Sequence, residues 1–498
     1  MATDSFDLLV IGGGIHGAAV ARDAAGRGLK VMLAEKGDYA CATSSASSKL
    51  IHGGLRYLER LEFKLVRESL LARAELLDTA PHLVWPMRFL MPVYGWQKRQ
   101  AWMLQAGLAL YDVLSFGGHL PASGRLSAAE TTRLPRLRKD DLAAVFRYPD
   151  CQADDARLTL SVVLDARARG ADILNRRAVT AITALDNGYA VELDERGAKR
   201  RVEARFIVNA AGPFVAGVDG LTAAAPPPRP LRLVRGSHIV LPMPDPPEAD
   251  AYTLQDEDER IVFVIPWLDG RFLIVGTTDV PHAGDPSEAR CSPEEMTYLL
   301  DAYNRYFASG GPVTAKDVVF TFSGVRALHD ETGEKPSRIS RSPALAVAAR
   351  GTGGFVTLYG GKLTTHRAIA EDVLHAIKSL GVAMGPAWTK GMPLYGGNLS
   401  RAALFARAER GPAGLSSTTR RRLVLTYGDR IETLFAHVVA EPAAAQEIAP
   451  GVTRAELEYA VETEDAMTAE DFLLRRTKLH LLLDQAGRDA VAQWFGKA

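Results

Sequence analysis

The sequence is poor in cysteine and carries no excess charge of either sign. Its three cysteines, at positions 41, 151 and 291, are far apart, so they form neither a disulfide framework nor a CxxC motif. Lysine and arginine together number 59, and so do aspartate and glutamate, which argues against a general attraction to nucleic acid. We therefore expect a protein of a reducing compartment, with no nucleic-acid partner and no metal centre.

Long apolar runs and a leader segment are also missing. No stretch reaches the roughly 18 apolar residues of a membrane-spanning helix, and the chain starts directly with a strand pattern, so we expect neither a span nor a secretory signal. The 498 residues, 47% of them apolar and 24% charged, are typical of a folded globular protein. This length exceeds one ordinary hydrophobic core and predicts two or three domains.

The first 36 residues follow a strand–turn–helix–strand pattern. An apolar run at 8–11 predicts a buried strand, 18–27 a helix and 31–34 a second strand, and between the first two stand the G-x-G-x-x-G glycines Gly12, Gly14 and Gly17. These glycines allow a tight turn, close approach of a pyrophosphate and packing of the helix on the strand. Glu35 is placed to accept hydrogen bonds from an adenosine ribose, and it argues against the 2′-phosphate of NADP. The pattern predicts dinucleotide binding.

Three later segments favour FAD over NAD. The small-residue loop 37–48 offers the hydroxyls of Ser44, Ser45 and Ser48 to a large cofactor, although an ordinary flexible linker has the same composition. A strand at 205–215 ends in small residues that include Ala211 and Gly212. At 351–377 a strand, a glycine turn and a helix from about Lys362 follow one another, and a helix N-terminus stabilises an anionic reduced flavin. The cofactor domain is therefore predicted to comprise three pieces of chain.

Four motifs carry a resemblance to a known family. "TSSASSKLIHGGLRYLE" at 43–59, "GVRAL", "GGKLTTHR" and "LRRTKL" at 474–479 resemble the FAD-dependent glycerol-3-phosphate dehydrogenases of the respiratory, aerobic type over nearly the whole chain. The resemblance implies non-covalent FAD and oxidation of sn-glycerol 3-phosphate to dihydroxyacetone phosphate. The hydride would pass from C2 to flavin N5, and the electrons onward to a ubiquinone-type acceptor. It also implies further cofactor contacts at Gly53, Gly54, Gly361, Lys362, Leu363 and Thr364.

A phosphorylated substrate needs fixed cations. Arg56 and Arg326 lie in glycine-marked, largely apolar sequence, where a charge requires a partner, and an arginine fork suits phosphate oxygens. By resemblance four cations converge on the substrate, and Tyr57 binds its phosphate or glycerol backbone; the cations are Arg56, Arg326, Arg341 and Lys362. Arg338, three residues before Arg341, is an alternative member of this set.

Removal of the C2 hydroxyl proton calls for a base, and histidine has a suitable pKa. Two histidines are candidates, His238 in "RGSHIVL" and His52 in "LIHGG", although either also suits a buried core position. Our hypothesis is that His238 binds the substrate hydroxyl and takes its proton, while His52 is hydrogen-bonded at the flavin face. Arg326 completes the catalytic set. Thr277, Thr278 and Asp279 resemble a stretch of the family near the active site, but we interpret them as structural.

The expected fold class is α/β, with a Rossmann-like FAD-binding domain of the glutathione-reductase/amino-acid-oxidase type. This domain is predicted to be discontinuous, comprising 1–80, 149–230 and 323–390. An α+β substrate-binding, membrane-facing domain would comprise 81–148 and 231–322, with a hairpin at 260–280. Residues 391–498 are predicted to form an α-helical cap, in which Thr468 and Asp471 start the last strong helix.

Residues 85–114 suit a membrane interface. They hold three of the six tryptophans together with Arg88, Lys98 and Arg99, although the same residues would also serve as a roof over the pocket. With the quinone partner that the resemblance implies, we expect peripheral, monotopic binding at the cytoplasmic face of the inner or plasma membrane. The sequence leaves a homodimer open.

Other functions are compatible with parts of this pattern. A dehydrogenase of another polyol phosphate, such as erythritol 4-phosphate, would use the same cations. An amine or amino-acid oxidase would need one arginine for a carboxylate, and a non-catalytic FAD-bearing regulator would not need the histidine, arginine and lysine set. His366 stands where the family is expected to have tyrosine, which leaves the substrate less certain than the type of reaction.

Overall fold

A computed structural model describes residues 4–118, 120–245, 247–256, 260–308, 311–330 and 341–497. Arg338, the alternative to Arg341, lies outside the described residues. The strands are β1 Asp4–Ile11, β2 Val31–Ala34, β3 Leu50–Ile51, β4 Val84–Tyr94, β5 Gly124–Arg125, β6 Leu142–Ala153, β7 Asp172–Leu174, β8 Ala178–Leu185, β9 Gly188–Glu195, β10 Ala198–Asn209, β11 Leu231–Pro242, β12 Ala251–Gln255, β13 Ile261–Trp267, β14 Phe272–Gly276, β15 Val280–Pro281, β16 Phe320–His329, β17 Ala344–Arg350, β18 Gly353–Tyr359, β19 Glu447–Ala449 and β20 Val452–Thr453.

The helices frame these strands and dominate the last hundred residues. They are α1 Ile15–Gly26, α2 Phe63–Thr79, α3 Ala101–Leu114, α4 Ala128–Thr132, α5 Asp155–Ala168, α6 Val215–Asp219, α7 Pro293–Tyr306, α8 His366–Ser379, α9 Arg401–Glu409, α10 Ser417–Tyr427, α11 Ile431–Ala440, α12 Arg454–Glu462 and α13 Gln485–Phe495.

The first sheet has a parallel centre in the order β18-β10-β1-β2-β7. Antiparallel β17 extends one edge, and β8 and β9 form an antiparallel meander on β10. The apolar run of β1 is buried because α1, α5 and α8 cover one face of the sheet and the meander covers the other. The predicted strands at 8–11 and 31–34 are confirmed, whereas the first helix begins three residues earlier than expected, at Ile15.

Parallel strands place their carboxyl ends at one edge of the sheet. At this edge β1 is followed by Gly12, β10 by Ala210 and β18 by Gly360. In this sheet β2 pairs with β1 on one side and the later strand β10 pairs with it on the other. A crevice opens at the carboxyl ends of the strands where the strand order changes direction in this way. The three pieces of chain predicted to bind one cofactor therefore meet at a single site.

The second sheet is mixed, in the order β15-β11-β14-β13-β12-β4-β6-β3, with β16 paired to β11 and β5 to β6. Helix α7 packs on one face, while α2 and α3 contribute to the apolar layer on the other. The predicted hairpin is present as β13 and β14. The structure differs from two predicted boundaries of the FAD-binding domain, those at 149 and 323. The last residues of β6 and most of β16 follow these boundaries, yet both strands pair within the second sheet and not the first.

The C-terminal region is helical, with two small apolar cores. Thr468 and Asp471 cap each other as expected: the Asp471 amide donates to Thr468 Oγ1 at 3.2 Å, and the Thr468 amide donates to Asp471 Oδ2 at 3.1 Å. The prediction that a strong helix starts at these residues is wrong. A six-residue π-type turn, Asp471–Arg476, follows, and the last α-helix begins only at Gln485. This turn directs Arg475 and Arg476 to partners in the first sheet's loops, and π-type turns are frequent at functional sites.

Candidate active site

A cavity of about 1000 Å³ lies where the two sheets and the C-terminal region meet. Its size is at the upper end of the range of about 300–1,000 Å³ for small-molecule sites, as an extended cofactor requires. Most predicted site residues line it: Gly12, Gly14, Glu35, Ser44, Ser45, Ser48, His52, Gly54, Arg56, Tyr57, Ala211, Gly212, Arg326, Arg341, Gly361, Lys362, Leu363 and Thr364. Gly17, Gly53 and His238 lie behind its wall.

The turn after β1 requires the absence of side chains. Gly12 has φ +114°, and a Cβ there would lie 2.7 Å from the Ala210 carbonyl oxygen. A Cβ on Gly17 would lie 1.9 Å from the Gly12 carbonyl oxygen, so Gly17 lets α1 sit directly on this turn. Both distances are far below van der Waals contact. The glycine spacing therefore reflects backbone crowding, as the sequence predicts.

Glu35 ends the second strand and fixes the neighbouring loops. Its carboxylate accepts hydrogen bonds from the amides of Gly13 at 2.6 Å and Gly37 at 2.7 Å. Burial raises the pKa of this carboxyl, while the two amide donors act in the opposite direction. Ser44 Oγ accepts a hydrogen bond from the Ile15 amide at 3.0 Å, which holds the serine-rich loop against the start of α1.

The third strand end carries a second glycine turn. Gly361 has φ +94°, and a Cβ there would lie 2.8 Å from the His16 ring. The His16 Nε2 atom lies 3.3 Å from the Lys362 carbonyl oxygen, so α1 and this turn are in contact. Helix α8 begins at His366 instead of near Lys362, because residues 362–365 form a turn first.

The pair Gly53-Gly54 has two separate roles. A Cβ on Gly53 would lie 2.4 Å from both Leu70 and the Tyr111 hydroxyl, and the Gly53 amide donates to Tyr111 Oη at 3.0 Å. Gly53 therefore packs against α2 and α3 and does not line the cavity, and its expected contact with the flavin stays a prediction. Gly54 does line the cavity, with φ +78° and the Tyr57 ring alongside.

Two arginines and one carboxylate form a charged cluster at the cavity wall. Arg326, on β16, donates to Asp279 Oδ1 at 2.7 Å and to Thr277 Oγ1 at 3.0 Å. Arg341 donates to the same Asp279 oxygen at 3.4 Å. Asp279 thus orients two guanidinium groups at the cavity wall, although sequence reasoning interpreted this stretch as structural. The sequence feature that could have pointed to Asp279 as a site residue is its position directly after "GTT" in apolar sequence.

Lys362 and Arg56 complete this end of the cavity. Lys362 Nζ lies 3.9 Å from the centroid of the Tyr57 ring and donates to Ser69 Oγ at 3.2 Å. Burial, opposed by the charge of Glu62 and assisted by that of Arg341, lowers the pKa of Lys362 to about 7. Burial also lowers the pKa of Arg56, which the charge of Asp279 opposes. The cavity therefore has a strongly cationic end, on which an anion would restore favourable charge pairing.

The two candidate histidines have different positions. His52 lines the cavity 6.4 Å from the Phe263 ring, and burial lowers its pKa to about 4, so its imidazole is neutral near pH 7. His238 is 1% exposed and stacks on Phe322 at 4.6 Å, and its Nε2 atom lies 2.8 Å from Ser48 Oγ. Ser48 lines the cavity, whereas His238 beside it does not. Direct contact of His238 with the substrate hydroxyl stays a prediction, which this position does not favour.

A buried glutamate supports the Thr277–Asp279 stretch from the far side of the sheet. Glu295, on α7, accepts hydrogen bonds from Thr278 Oγ1 at 2.6 Å and Ser237 Oγ at 2.9 Å. It also pairs with Arg235 at 2.8 Å. Because Thr278 is thus fixed, the neighbouring Asp279 is presented to the cations in one orientation.

The C-terminal region contributes five residues to the cavity wall that sequence reasoning did not assign to the site: Glu470, Leu474, Arg475, Lys478 and His480. An indication was present in "LRRTKL", where three cations stand among apolar residues. Like Arg56 and Arg326, these cations stand in apolar sequence, where a charge needs a partner.

An exposed apolar surface lies beside the cavity, on and around α3. We define the apolar surface by Leu61, Phe63, Trp102, Met103, Leu110, Val113 and Phe116, all of them exposed. Trp102 is 71% exposed and Phe116 is 82% exposed. Within 85–114 the first part is strand β4, whose Phe89 and Met91 line the cavity, while α3 and the preceding Trp96 present apolar side chains outward. In the described parts of the chain, no helix combines the length and apolarity needed to cross a membrane.

Comparisons with known proteins agree with this geometry. The family profile described as FAD dependent oxidoreductase matches residues 7–367, and the profile described as C-terminal domain of alpha-glycerophosphate oxidase matches residues 387–495. The chain is 41% identical over 495 residues to the aerobic glycerol-3-phosphate dehydrogenase of Escherichia coli (strain K12), covering 98% of this chain and 97% of that protein. It is also 41% identical over 501 residues to the D-erythritol 1-phosphate dehydrogenase of Brucella abortus (strain 2308), covering 99% and 98%.

A solved structure extends the likeness to three dimensions. The X-ray structure of the glycerol-3-phosphate dehydrogenase from Bacillus halodurans complexed with FAD superposes with a TM-score of 0.78 at 28% identity. The alignment covers 99% of this chain and 90% of that one. Fold and site define an FAD-dependent oxidoreductase, and the chain belongs, within that class, to the family of the glycerol-3-phosphate dehydrogenases. The fold class, the cofactor and the enzyme class predicted from the sequence are confirmed.

The residues present fit FAD. Three strand ends meet at the crevice with glycines that leave room for a ligand against bare backbone, and the carboxylate of Glu35 closes one end. The cavity then continues to the cationic end between the sheets, so one elongated cofactor and a small anion have room in line.

Proposed function

We propose that the protein oxidises sn-glycerol 3-phosphate to dihydroxyacetone phosphate. The observation that supports this most directly is the cationic end of the cavity, lined by Arg56, Arg326, Arg341 and Lys362 beside the Gly361 turn. A dianionic phosphate matches several cations, whereas the single carboxylate of an amino-acid substrate would need one. When bound, FAD supplies the acceptor for the hydride from C2.

In this proposal the backbone at the first sheet's edge holds the cofactor. Gly12 and Gly14 leave space for the pyrophosphate, and Glu35 accepts hydrogen bonds from the ribose. Ser44, Ser45, Ser48 and Gly54 contribute from the loop, together with Ala211 and Gly212 after β10 and Gly361–Thr364 after β18. Gly17 acts indirectly, through the packing of α1.

The protein's own groups then bind the substrate and move its proton. The guanidinium groups of Arg326, Arg341 and Arg56 and the Lys362 ammonium hold the phosphate, and the Tyr57 hydroxyl donates to a substrate oxygen. The neutral imidazole of His52 accepts the proton of the C2 hydroxyl while the C2–H bond breaks, which leaves a carbonyl at C2. Ser48 with His238 behind it is the alternative proton acceptor.

A second substrate has a specific observation in its favour. The relative named D-erythritol 1-phosphate dehydrogenase is as similar to this chain as the glycerol-3-phosphate dehydrogenase from Escherichia coli. The phosphate-binding cations would serve both substrates, so the choice depends on room for the longer polyol.

The direct test is anaerobic bleaching of the bound flavin by a panel of phosphorylated polyols. We expect sn-glycerol 3-phosphate to reduce the flavin with the highest second-order rate constant, erythritol phosphates to do so more slowly, and unphosphorylated glycerol not to react measurably. Faster reduction by an erythritol phosphate would reassign the substrate. Reduction by an amino acid and not by any phosphate ester would reject the proposal.

The electron acceptor and location are part of the same proposal. The apolar surface suits partial insertion into one leaflet, as in peripheral, monotopic binding at the cytoplasmic face of the inner or plasma membrane. Leu104, on the same helix α3, lines the cavity beside Phe89, Met91 and Phe263, which would give a ubiquinone-type acceptor an apolar approach. Whether the protein forms a homodimer stays a prediction, to be checked by light scattering.

Liposome flotation tests this surface with a matched control. Trp102→Gln with Val113→Gln should abolish binding to liposomes of mixed anionic and neutral lipids. Val439→Gln, on α11 in the C-terminal region, removes a side chain as exposed as Val113, at 70% against 69%, and should leave binding unchanged. Flotation of the double variant to the wild-type extent, or no flotation of the wild type, would reject the membrane proposal.

A further inference from the structure

The C-terminal region reaches the end of the cavity at which the loop after β2 begins. Arg475 lies on the cavity wall together with Glu35, Lys36 and Cys41, although about 440 residues separate them in sequence. This region has its own apolar cores, and in addition it contributes side chains to the cavity wall.

Asp38 is the point of attachment. Its buried carboxylate accepts two hydrogen bonds from Arg476, at 2.6 and 2.8 Å, and one from Arg475 Nε at 2.6 Å. A carboxylate held by two guanidinium groups in a fork geometry is fixed in both position and orientation. Asp38 is three residues from Glu35, so the loop that carries Glu35 is fixed with it.

A second connection runs through Arg176. The Arg176 amide donates to the Gly37 carbonyl at 2.8 Å, and its guanidinium pairs with Asp471 of the π-type turn at 2.7 Å. The Arg177 amide donates to the Glu35 carbonyl at 2.8 Å. Residues 35–38 are thus held from one side by backbone and from the other by the C-terminal turn.

Residues next to the π-type turn also connect, through α5, to the far end of the serine-rich loop. Lys478 lines the cavity and pairs with Asp154 at the start of α5. The adjacent Asp155 binds Lys49 at 2.9 Å and the Ser47 hydroxyl at 2.7 Å. Both ends of the loop 35–49 are therefore connected, directly or through α5, to residues 471–478.

We infer that the C-terminal region completes the FAD site, with Arg475 and Arg476 as positioning residues that hold the loop 35–49 closed on the cofactor. The unusual π-type turn is explained by this role, because it brings two consecutive arginines to one carboxylate. Retention of FAD then depends on a segment that follows the family's FAD-binding sequence by about a hundred residues.

The test measures FAD release from the full-chain holoenzyme. Free flavin fluoresces more strongly than bound flavin in this assay, so dilution at a temperature below each variant's unfolding transition gives a dissociation constant. We expect Arg476→Met to weaken FAD binding by about tenfold or more, and Asp38→Asn to do the same. The loss in the double variant should be smaller than the sum of the two single losses, because Arg476 and Asp38 bind each other.

The control is Arg422→Met. Arg422 makes a comparable fork with Glu456, at 2.7 and 2.6 Å, but inside the C-terminal region and away from the cavity wall. It should lower the midpoint of thermal unfolding and leave FAD affinity within about twofold. Arg476→Lys, which keeps the charge and loses the fork, provides a milder variant and should have an intermediate affinity.

Two results would overturn the inference. One is wild-type FAD affinity in a folded Arg476→Met or Arg476→Lys variant. The other is an equal loss of FAD affinity in Arg422→Met, which would reduce the effect to general destabilisation.

Discussion

The two ends of the cavity are built from different chemistry. At the cofactor end, the ligand meets backbone: glycines follow three parallel strands, and side chains are excluded by contacts as close as 1.9 Å. At the proposed substrate end, charged side chains line the cavity around Asp279, and they come from strand β16, the short turn Leu55–Arg60 and the segments next to β17 and β18. The cofactor end therefore depends on the absence of side chains, and the substrate end depends on the charge of the side chains present. Variants at the two ends should therefore fail in different ways.

The largest effect is expected from Gly17→Ala at the cofactor end. The added methyl would overlap the Gly12 carbonyl, so α1 has to move away from the turn, and we expect purified protein with almost no flavin. Flavin absorbance per chain measures this. Gly217→Ala, on α6, meets no atom within 4 Å and should keep a full complement of flavin. A flavin-replete Gly17→Ala protein would contradict the crowding argument.

His52→Asn should separate binding from turnover. Flavin content should remain at the wild-type level, while the rate of flavin reduction by glycerol 3-phosphate falls by about 10²- to 10⁴-fold, because general-base catalysis is lost. Stopped-flow absorbance at the flavin band measures the rate. The matched His238→Asn variant should lose less, since His238 lies behind Ser48. The opposite order would assign the base to the Ser48–His238 pair.

Arg326→Met tests the cationic end. It removes one phosphate-binding cation and one partner of the half-buried Asp279, so we expect kcat/KM to fall by about 10²- to 10³-fold with flavin still bound. Arg326→Lys should recover part of this loss, because it restores the charge without the fork. Steady-state assays with a dye acceptor measure both. Loss of flavin in Arg326→Met would show that the two ends are not independent.

The smallest effect concerns pH. Because burial lowers the pKa of Lys362 to about 7, this ammonium is present below that pH and is lost as the pH rises through it. Bound phosphate raises the pKa again, so the affinity for substrate, and not the turnover at saturation, should fall above pH 7, by at most about tenfold per pH unit.

Measurement of KM between pH 7 and 9 would show this dependence. Lys362→Arg, which stays protonated throughout, should give a flatter profile. An unchanged slope in that variant would assign the pH dependence to another group.

The sequence predicted the cofactor end more fully than the substrate end. G-x-G-x-x-G and Glu35 are local, because the crowding of Gly17 on Gly12 arises within six residues of chain. The surroundings of Gly53, His238 and Asp279 were not predictable for the opposite reason. Gly53 is constrained by Leu70 and Tyr111 from two helices, and His238 is separated from the cavity by a serine 190 residues away. Such contacts leave no local pattern.

By itself, the sequence determined the dinucleotide turn, the charged groups available and the family resemblance, since short-range sterics and side-chain chemistry are written in consecutive residues. Only the tertiary structure decided which histidine lines the cavity, which carboxylate pairs with the arginines and which loop the C-terminal region contacts. Those outcomes depend on distances between elements far apart in the chain, where packing and buried charge pairing select one arrangement among many that the same local patterns allow.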